Sequence, residues 1–185
     1  MKISDAVILV GGLGSRLGKI TKKTPKPLIL IDNKRFLDFL LTKITKYNFN
    51  KIYLLCSYKK ELFFKLYHNK QIHNSKIICI YEGYRKGTGG ALFKLKNKIK
   101  KNFLLLNGDT FFDIDLNKFL NIKISNYYGI LALTNKKNSI NNNLLINLKI
   151  NPKNVLSYSN KKNFLMNGGI YLLNIRNENH NINQK

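Results

Sequence analysis

A short apolar run that stops at two glycines constrains this chain more than any other feature. Asp5–Val10 reads DAVILV, and Gly11, Gly12, Leu13, Gly14, Ser15, Arg16 and Leu17 follow. The run reads as a buried strand feeding a glycine turn. Such a turn lets backbone N–H groups approach phosphate oxygens with no Cβ in the way. Two better-known phosphate loops do not fit. The dinucleotide fingerprint needs glycine three residues after Gly14, where this chain has Leu17. The P-loop pattern ending at Gly18-Lys19 needs glycine at Leu13 and Ser or Thr at Ile20. What remains is GGxGxRL, with Lys26 between Pro25 and Pro27 ten residues after Arg16. Val10, Gly11, Gly12, Gly14 and Ser15 are therefore candidate nucleotide-binding positions. Arg16 offers several donors to a polyphosphate and Lys26 a point charge, on a backbone that the prolines restrict.

The rest of the chain alternates. After a polar loop and the apolar Leu28–Ile31, Arg35–Tyr47 has helical periodicity, with Phe36, Phe39, Leu40 and Ile44 expected on one face. Lys51–Ser57, Lys76–Tyr81 and Asn102–Leu106 read as strands, and Glu61–His68 and Gly90–Lys100 as helices. Strands and helices in alternation with short turns predict an α/β fold of three layers, a mostly parallel sheet with helices on both faces. Beyond Asp109 the pattern loosens. Asp115 is expected to cap a helix over Leu116–Ile122, Gly129–Thr134 and Gly169–Leu173 read as strands, and Asn135–Asn143 as a surface loop. One domain is expected over 1–185. It ends in a frayed polar tail (174–185).

Charge tests this reading. The formal net charge is +24, which invites nucleic acid as a partner. Of the 33 basic residues, however, only Arg16, Arg35, Arg85 and Arg176 are arginines, leaving 29 lysines scattered along the chain among asparagines. Base and phosphate readers favour the bidentate fork of arginine, so nucleic acid is set aside and the lysines read as solvated faces. No stretch approaches the roughly 20 apolar residues of a membrane helix, and no signal-peptide pattern opens the chain. Cys56 and Cys79 sit in apolar runs and read as reduced core thiols, which suits a cytoplasmic protein.

Three further constellations carry chemistry. Asn107-Gly108-Asp109 closes the strand at Leu106, where open α/β sheets bind ligands, and one carboxylate plus phosphate oxygens is an ordinary Mg²⁺ environment. Glu82 and Gly87-Thr88-Gly89-Gly90 precede a helix, and their glycines permit close approach to a flat base. Met166-Asn167-Gly168-Gly169 reads as a small-residue turn before a strand. His68, His73 and His180 lack neighbours that would make them metal ligands or bases, and structural roles are expected for them.

Residues 11–28 resemble the signature of the sugar-phosphate nucleotidylyltransferases, GGxGxRLxxxTxxxPKPL, through Arg16, Leu17, Thr21, Pro25, Lys26, Pro27 and Leu28. Over residues 87–92, GTGGAL is similar to the heptose-1-phosphate and mannose-1-phosphate guanylyltransferase branch, with uridylyltransferases carrying related text. The resemblance implies a Rossmann-like fold and transfer of a nucleoside monophosphate to a sugar 1-phosphate, with a nucleoside triphosphate and the sugar phosphate as partners. Such enzymes supply nucleotide sugars, for instance for cell-surface polysaccharide, and self-association would be compatible with the family. By the same resemblance Arg16 would hold the outgoing pyrophosphate and Lys26 would neutralise charge at the α-phosphate. Asp109 would hold Mg²⁺, Asn107, Gly108, Asn167 and Gly168 would bind substrate, and the domain would divide into a nucleotide-binding half (1–109) and a sugar-binding half (110–173). GTP is favoured, with uridylyl or thymidylyl transfer and a non-catalytic nucleotide-binding relative as alternatives.

Two departures from the pattern matter. The stretch Tyr158–Lys162 carries no acid where the family usually has one, and no second metal carboxylate in an Asp-Ile-Gly context follows Asn174. The chain looks short by several tens of residues against that pattern. Weak or absent turnover with nucleotide binding retained is the expectation.

Overall fold

The structure, a computed structural model, describes residues 3–83, 87–99, 102–124, 128–135, 148–152, 156–158 and 165–174. At its centre β1 (Asp5–Leu9) pairs in parallel with β4 (Lys51–Cys56) on one side and β7 (Phe103–Asn107) on the other, Val7 facing Tyr53 and Leu105 in register. Next to β4 lies β6 (Ser75–Tyr81), also parallel. This four-stranded parallel core, in order β7-β1-β4-β6, is what the apolar runs predicted.

Antiparallel strands extend it at both flanks. At one edge β5 (Gln71–Ile72) forms a hairpin with β6. At the other, β11 (Leu165–Leu173) runs antiparallel to β7 and carries β8 (Gly129–Asn135) and β9 (Leu148–Ile150), with β10 (Leu156–Tyr158) beyond β9. Sequence reading did not anticipate β5, β9 or β10, each of two or three residues and too short to carry a period.

Alternation along the strands splits the interior in two. Ala6, Ile8, Ile52, Leu54, Ile77 and Leu104 point to one face and pack against α2 (Phe36–Ile44), α3 (Lys60–Tyr67) and α5 (Leu116–Leu120). Val7, Tyr53, Leu55 and Leu105 point to the other and meet Ala91, Leu95 and Ile99 on and after α4 (Gly87–Phe93). Helices thus cover both sheet faces, the predicted three layers. Asp115 caps α5 as expected, accepting from the Lys118 N–H at 3.1 Å. Both cysteines are buried and free. His68 accepts from the Cys79 N–H at 3.1 Å, and His73 lies 2.9 Å from the Thr45 hydroxyl.

Four expectations need correction. The polar loop after the glycines contains a short helix, α1 (Lys19–Lys23), and a turn of 3₁₀ helix at Ser15–Leu17; short polar helices leave no apolar period to read. Leu30–Ile31 and Lys34–Arg35 form a small separate hairpin, β2 and β3. The helix after Thr88 starts at Gly87 and gives way after Phe93 to turns such as Leu95 N–H to Leu92 O (2.9 Å). Its apolar spacing buries Leu95 and Ile99 without regular α-helical bonding. The buried stripe of α2 is Leu37, Leu40, Leu41 and Ile44, while Phe36 and Phe39 are half-buried. Lys34 sits over the Phe39 ring, 4.9 Å from its centre, which keeps that ring at the surface. The Asn135–Asn143 loop beyond Asn135, the tail beyond Asn174, and His180 lie outside the described residues.

The corrected stripe is testable. Leu37→Ala should cost about 2–5 kcal/mol in urea unfolding, and Phe39→Ala clearly less despite its larger side chain. The reverse order would put the wrong face of α2 against the sheet.

Candidate active site

Because β1, β4, β6 and β7 are parallel, their carboxyl ends open on one edge, and a cleft of about 380 Å³ lies there. The loop after β1 supplies Gly11, Gly12 and Gly14 to its wall; Glu82 follows β6, Asn107 ends β7 and Asp109 follows it. Gly87 and Thr88, at the start of α4, also line it.

The glycine loop is glycine for steric reasons. A Cβ on Gly11 would lie 2.1 Å from Glu82 Oε1 and 2.9 Å from Ser57 Cβ, so the bare backbone makes room for the carboxylate. Gly14 has φ +63°, in the left-handed region, and Thr21 packs where its Cβ would be. Buried Thr21 then ties the loop together, its hydroxyl 3.0 Å from the Gly14 carbonyl and 3.2 Å from that of Gly18. Partial burial raises the pKa of Glu82 above the ordinary carboxyl value.

Lys26 and Asp109 meet across the cleft, with Nζ 2.8 Å from Oδ2. They are 83 residues apart in sequence. Each is held from behind. Pro25 leads into a 3₁₀ turn over Lys26–Leu28 whose Pro27 and Leu28 are buried. On the other side the Gly108 N–H donates to the Leu9 carbonyl at 2.9 Å, tying the end of β7 to β1. Lys43 of α2 fastens the loop beyond by donating to the Phe112 carbonyl and standing 3.6 Å from Asp113. Both partners of the central pair are more than a third exposed (39% and 44%), so the pair adds little stability and both charges remain available to a ligand. Among the described residues no group of three His, Cys, Asp or Glu could hold a metal ion by itself. The Asp109 carboxylate is a hard oxygen donor facing the cleft, a fit for a cation whose other ligands come from phosphates and water.

Other sequence-predicted residues are placed less centrally. Ser15 and Arg16 lie on the exposed 3₁₀ turn at the rim, outside the cleft lining. Gly89 lies in the first turn of α4. Asn167 and Gly168 are within β11 rather than in a turn, where the pairing with β8 shifts register between Asn167 and Tyr171. A bulge of this kind re-aims side chains. Asn167 bonds the Tyr171 hydroxyl (2.6 Å) and the Gly169 N–H (2.8 Å). Gly169, φ +73°, lies so close to Asn107 that a Cβ would approach its Nδ2 to 2.8 Å, which brings β11 against the cleft. Lys86, next to Gly87, lies outside the described residues. Sequence reading missed Ser57 and Tyr58, which also line the cleft. Their signal was position alone, the carboxyl end of a buried strand.

A model of the nucleotidyl transferase family matches residues 5–141. The chain belongs to that family. It is 39% identical over 172 residues to the D-glycero-α-D-manno-heptose 1-phosphate guanylyltransferase of Campylobacter jejuni, covering 91% of this chain and 75% of the relative. Identity is 37% over 177 residues to the bifunctional protein GlmU of Methanococcus maripaludis, covering 91% of this chain and 40% of that protein. Among solved structures, HddC from Yersinia pseudotuberculosis complexed with GMP-PN superposes with a TM-score of 0.75 at 28% identity, over 94% of this chain and 77% of HddC. The inositol-1-phosphate CTP transferase of T. maritima, at 16% identity and a TM-score of 0.71, shares the fold.

Burial of Glu82 has a measurable consequence. Its raised pKa means that the folded state disfavours the charged form, so the penalty is full at high pH and vanishes below the ordinary carboxyl range. Glu82→Gln should therefore raise Tm near pH 8, with the gain shrinking to nothing as pH falls below about 4. A gain independent of pH would assign it to some other cause.

Proposed function

We propose that the chain transfers a nucleoside monophosphate, GMP by preference, from a nucleoside triphosphate to a sugar 1-phosphate, releasing pyrophosphate. The observation that carries this reading is the Lys26–Asp109 pair lining one cleft together with the glycine loop. Residues 1–109 would bind the nucleotide and 110–173 the sugar. A phosphate oxygen of the sugar 1-phosphate, already anionic near neutral pH, attacks the α-phosphorus. The bond from that phosphorus to the bridging oxygen breaks, and pyrophosphate leaves with its electron pair. No general base is needed, so the protein aligns two polyanions and offsets their repulsion. Backbone N–H groups of residues 11–14 and Arg16 would hold the β- and γ-phosphates, Lys26 the α-phosphate, and Asn107, Gly108, Asn167 and Gly168 the sugar side. Asp109 would hold Mg²⁺, which when bound supplies charge neutralisation at the phosphates.

Glu82 supports guanine. A carboxylate only accepts hydrogen bonds, and guanine presents N1–H and N2–H as adjacent donors on one edge. Uracil and thymine offer a single N–H between two carbonyls, which an amide side chain matches better. Gly87, Thr88 and Gly89 would form the rest of the base and ribose wall. The heptose guanylyltransferase of C. jejuni and HddC with its GMP-PN point the same way. A cytoplasmic role in nucleotide-sugar supply, for instance for cell-surface polysaccharide, belongs to the same reading. Among the described residues no helix is long and apolar enough to cross a membrane.

Pyrophosphate release measured with four nucleoside triphosphates, a panel of sugar 1-phosphates and Mg²⁺ is the deciding experiment. GTP should give the highest kcat/KM, and Glu82→Gln should shift preference towards UTP. Saturable GTP binding without turnover would make the chain a non-catalytic relative. Release from no triphosphate, with no binding either, would end the proposal. Lys26→Ala should lower kcat/KM by on the order of 3 kcal/mol of transition-state stabilisation, with Tm nearly unchanged. Asp109→Asn should abolish Mg²⁺-dependent turnover while circular dichroism shows an intact fold; retained Mg²⁺ dependence would reduce Asp109 to a turn residue.

A further inference from the structure

The segment from Gly14 to Thr24, which carries Arg16, has almost no apolar anchorage. Leu17 and Ile20 are exposed, and Thr21 is its one buried residue. Within it, α1 has five residues, too few to hold a helix by its own hydrogen bonds. Its last carbonyls point away from any helical donor. Two side chains from the loop after β4 take them up. The Tyr58 hydroxyl lies 3.0 Å from the Thr21 carbonyl and 3.1 Å from that of Lys22. The Lys59 ammonium donates to the Lys22 and Lys23 carbonyls, both at 2.7 Å. A cation at this end also meets the negative pole of the helix. The contact continues inward, because the hydroxyl of Thr21 is the group that bonds the Gly14 and Gly18 carbonyls.

Lys59, which caps the start of α3, has φ +48°, a conformation that non-glycine residues rarely take. Strain of this kind persists where the surrounding contacts over-determine it. Tyr58 is also part of the cleft wall.

We propose that Tyr58 and Lys59 are positioning residues that clamp α1 and so hold the glycine loop and Arg16 in place for the β- and γ-phosphates of the nucleotide. This rests on the nucleotidyl-transfer reading above. Neither residue needs to touch the reacting atoms. Their contribution is to remove, before the nucleotide arrives, the freedom that a weakly anchored loop would otherwise lose on binding.

Calorimetric titration with GTP and with GMP, on the whole chain, separates the possibilities. Tyr58→Phe and Lys59→Met should each weaken GTP binding by about tenfold and GMP binding by less than about twofold, because GMP lacks the phosphates that the clamped loop would hold. Lys59→Arg should restore most of the loss. Hydrogen exchange should quicken at amides of residues 12–24 in Lys59→Met and stay unchanged in β1 and β7. Faster exchange with unaltered GTP affinity would overturn the functional role, and equal losses for GTP and GMP would show a general structural effect instead. A wild-type chain that binds neither nucleotide would overturn the parent reading and this one with it. Wild-type binding with unaffected variants would sink the clamp alone.

Discussion

Parallel pairing of β1 with both β4 and β7 is the constraint on which everything else depends. Strands that run the same way deliver their carboxyl ends to the same edge. The segments that follow four strands therefore converge there. Parallel strands must also be buried on both faces, which is why VILV, IYLLC, IICIY and FLLLN lack polar alternation and why helices occupy both sides. The sheet supplies the rigidity; the loops need only a few fixings each.

Those fixings are polar and local. Thr21 holds the glycine loop, Lys43 holds the loop beyond Asp109, and Ser57 donates from its hydroxyl to the Gly83 carbonyl at 2.7 Å to hold the turn after β6. Arg16 and Asp109 are exposed, whereas Thr21 is buried and Lys43 and Ser57 are half-buried. A site arranged this way separates what keeps the fold from what acts on a ligand. Removing an acting group should cost function, and removing a support should cost geometry.

Much of this was legible in the sequence, for identifiable reasons. Continuous apolar runs gave the parallel strands, and Lys26 and Asp109, read as candidates from their spacing, both line the cleft at the strand ends while Arg16 does not. Asp115 followed from the chemistry of helix caps. What escaped was decided by contacts between distant segments. The phase of α2 depends on which of several neighbouring apolar residues meets the sheet, and Phe36 and Phe39 offered an equally good stripe. The glycines at 168 and 169 read as a turn because glycine marks turns, yet here they form a bulge beside Asn107. Tyr58 and Lys59 gave no signal beyond their place after a buried strand, since a polar pair there is common and only the folded chain shows α1 within reach.

The position of β1 has a consequence for how the chain is made. β1 precedes in the chain both of the strands that flank it. Val7 cannot meet Leu105 until nearly a hundred further residues have been synthesised. Until then AVILV has at most β4 beside it and offers a bare, sticky edge to other nascent chains. Contacts of such long sequence separation also form slowly. The lysines scattered along the chain bear on that interval, since like-charged unfinished chains repel one another.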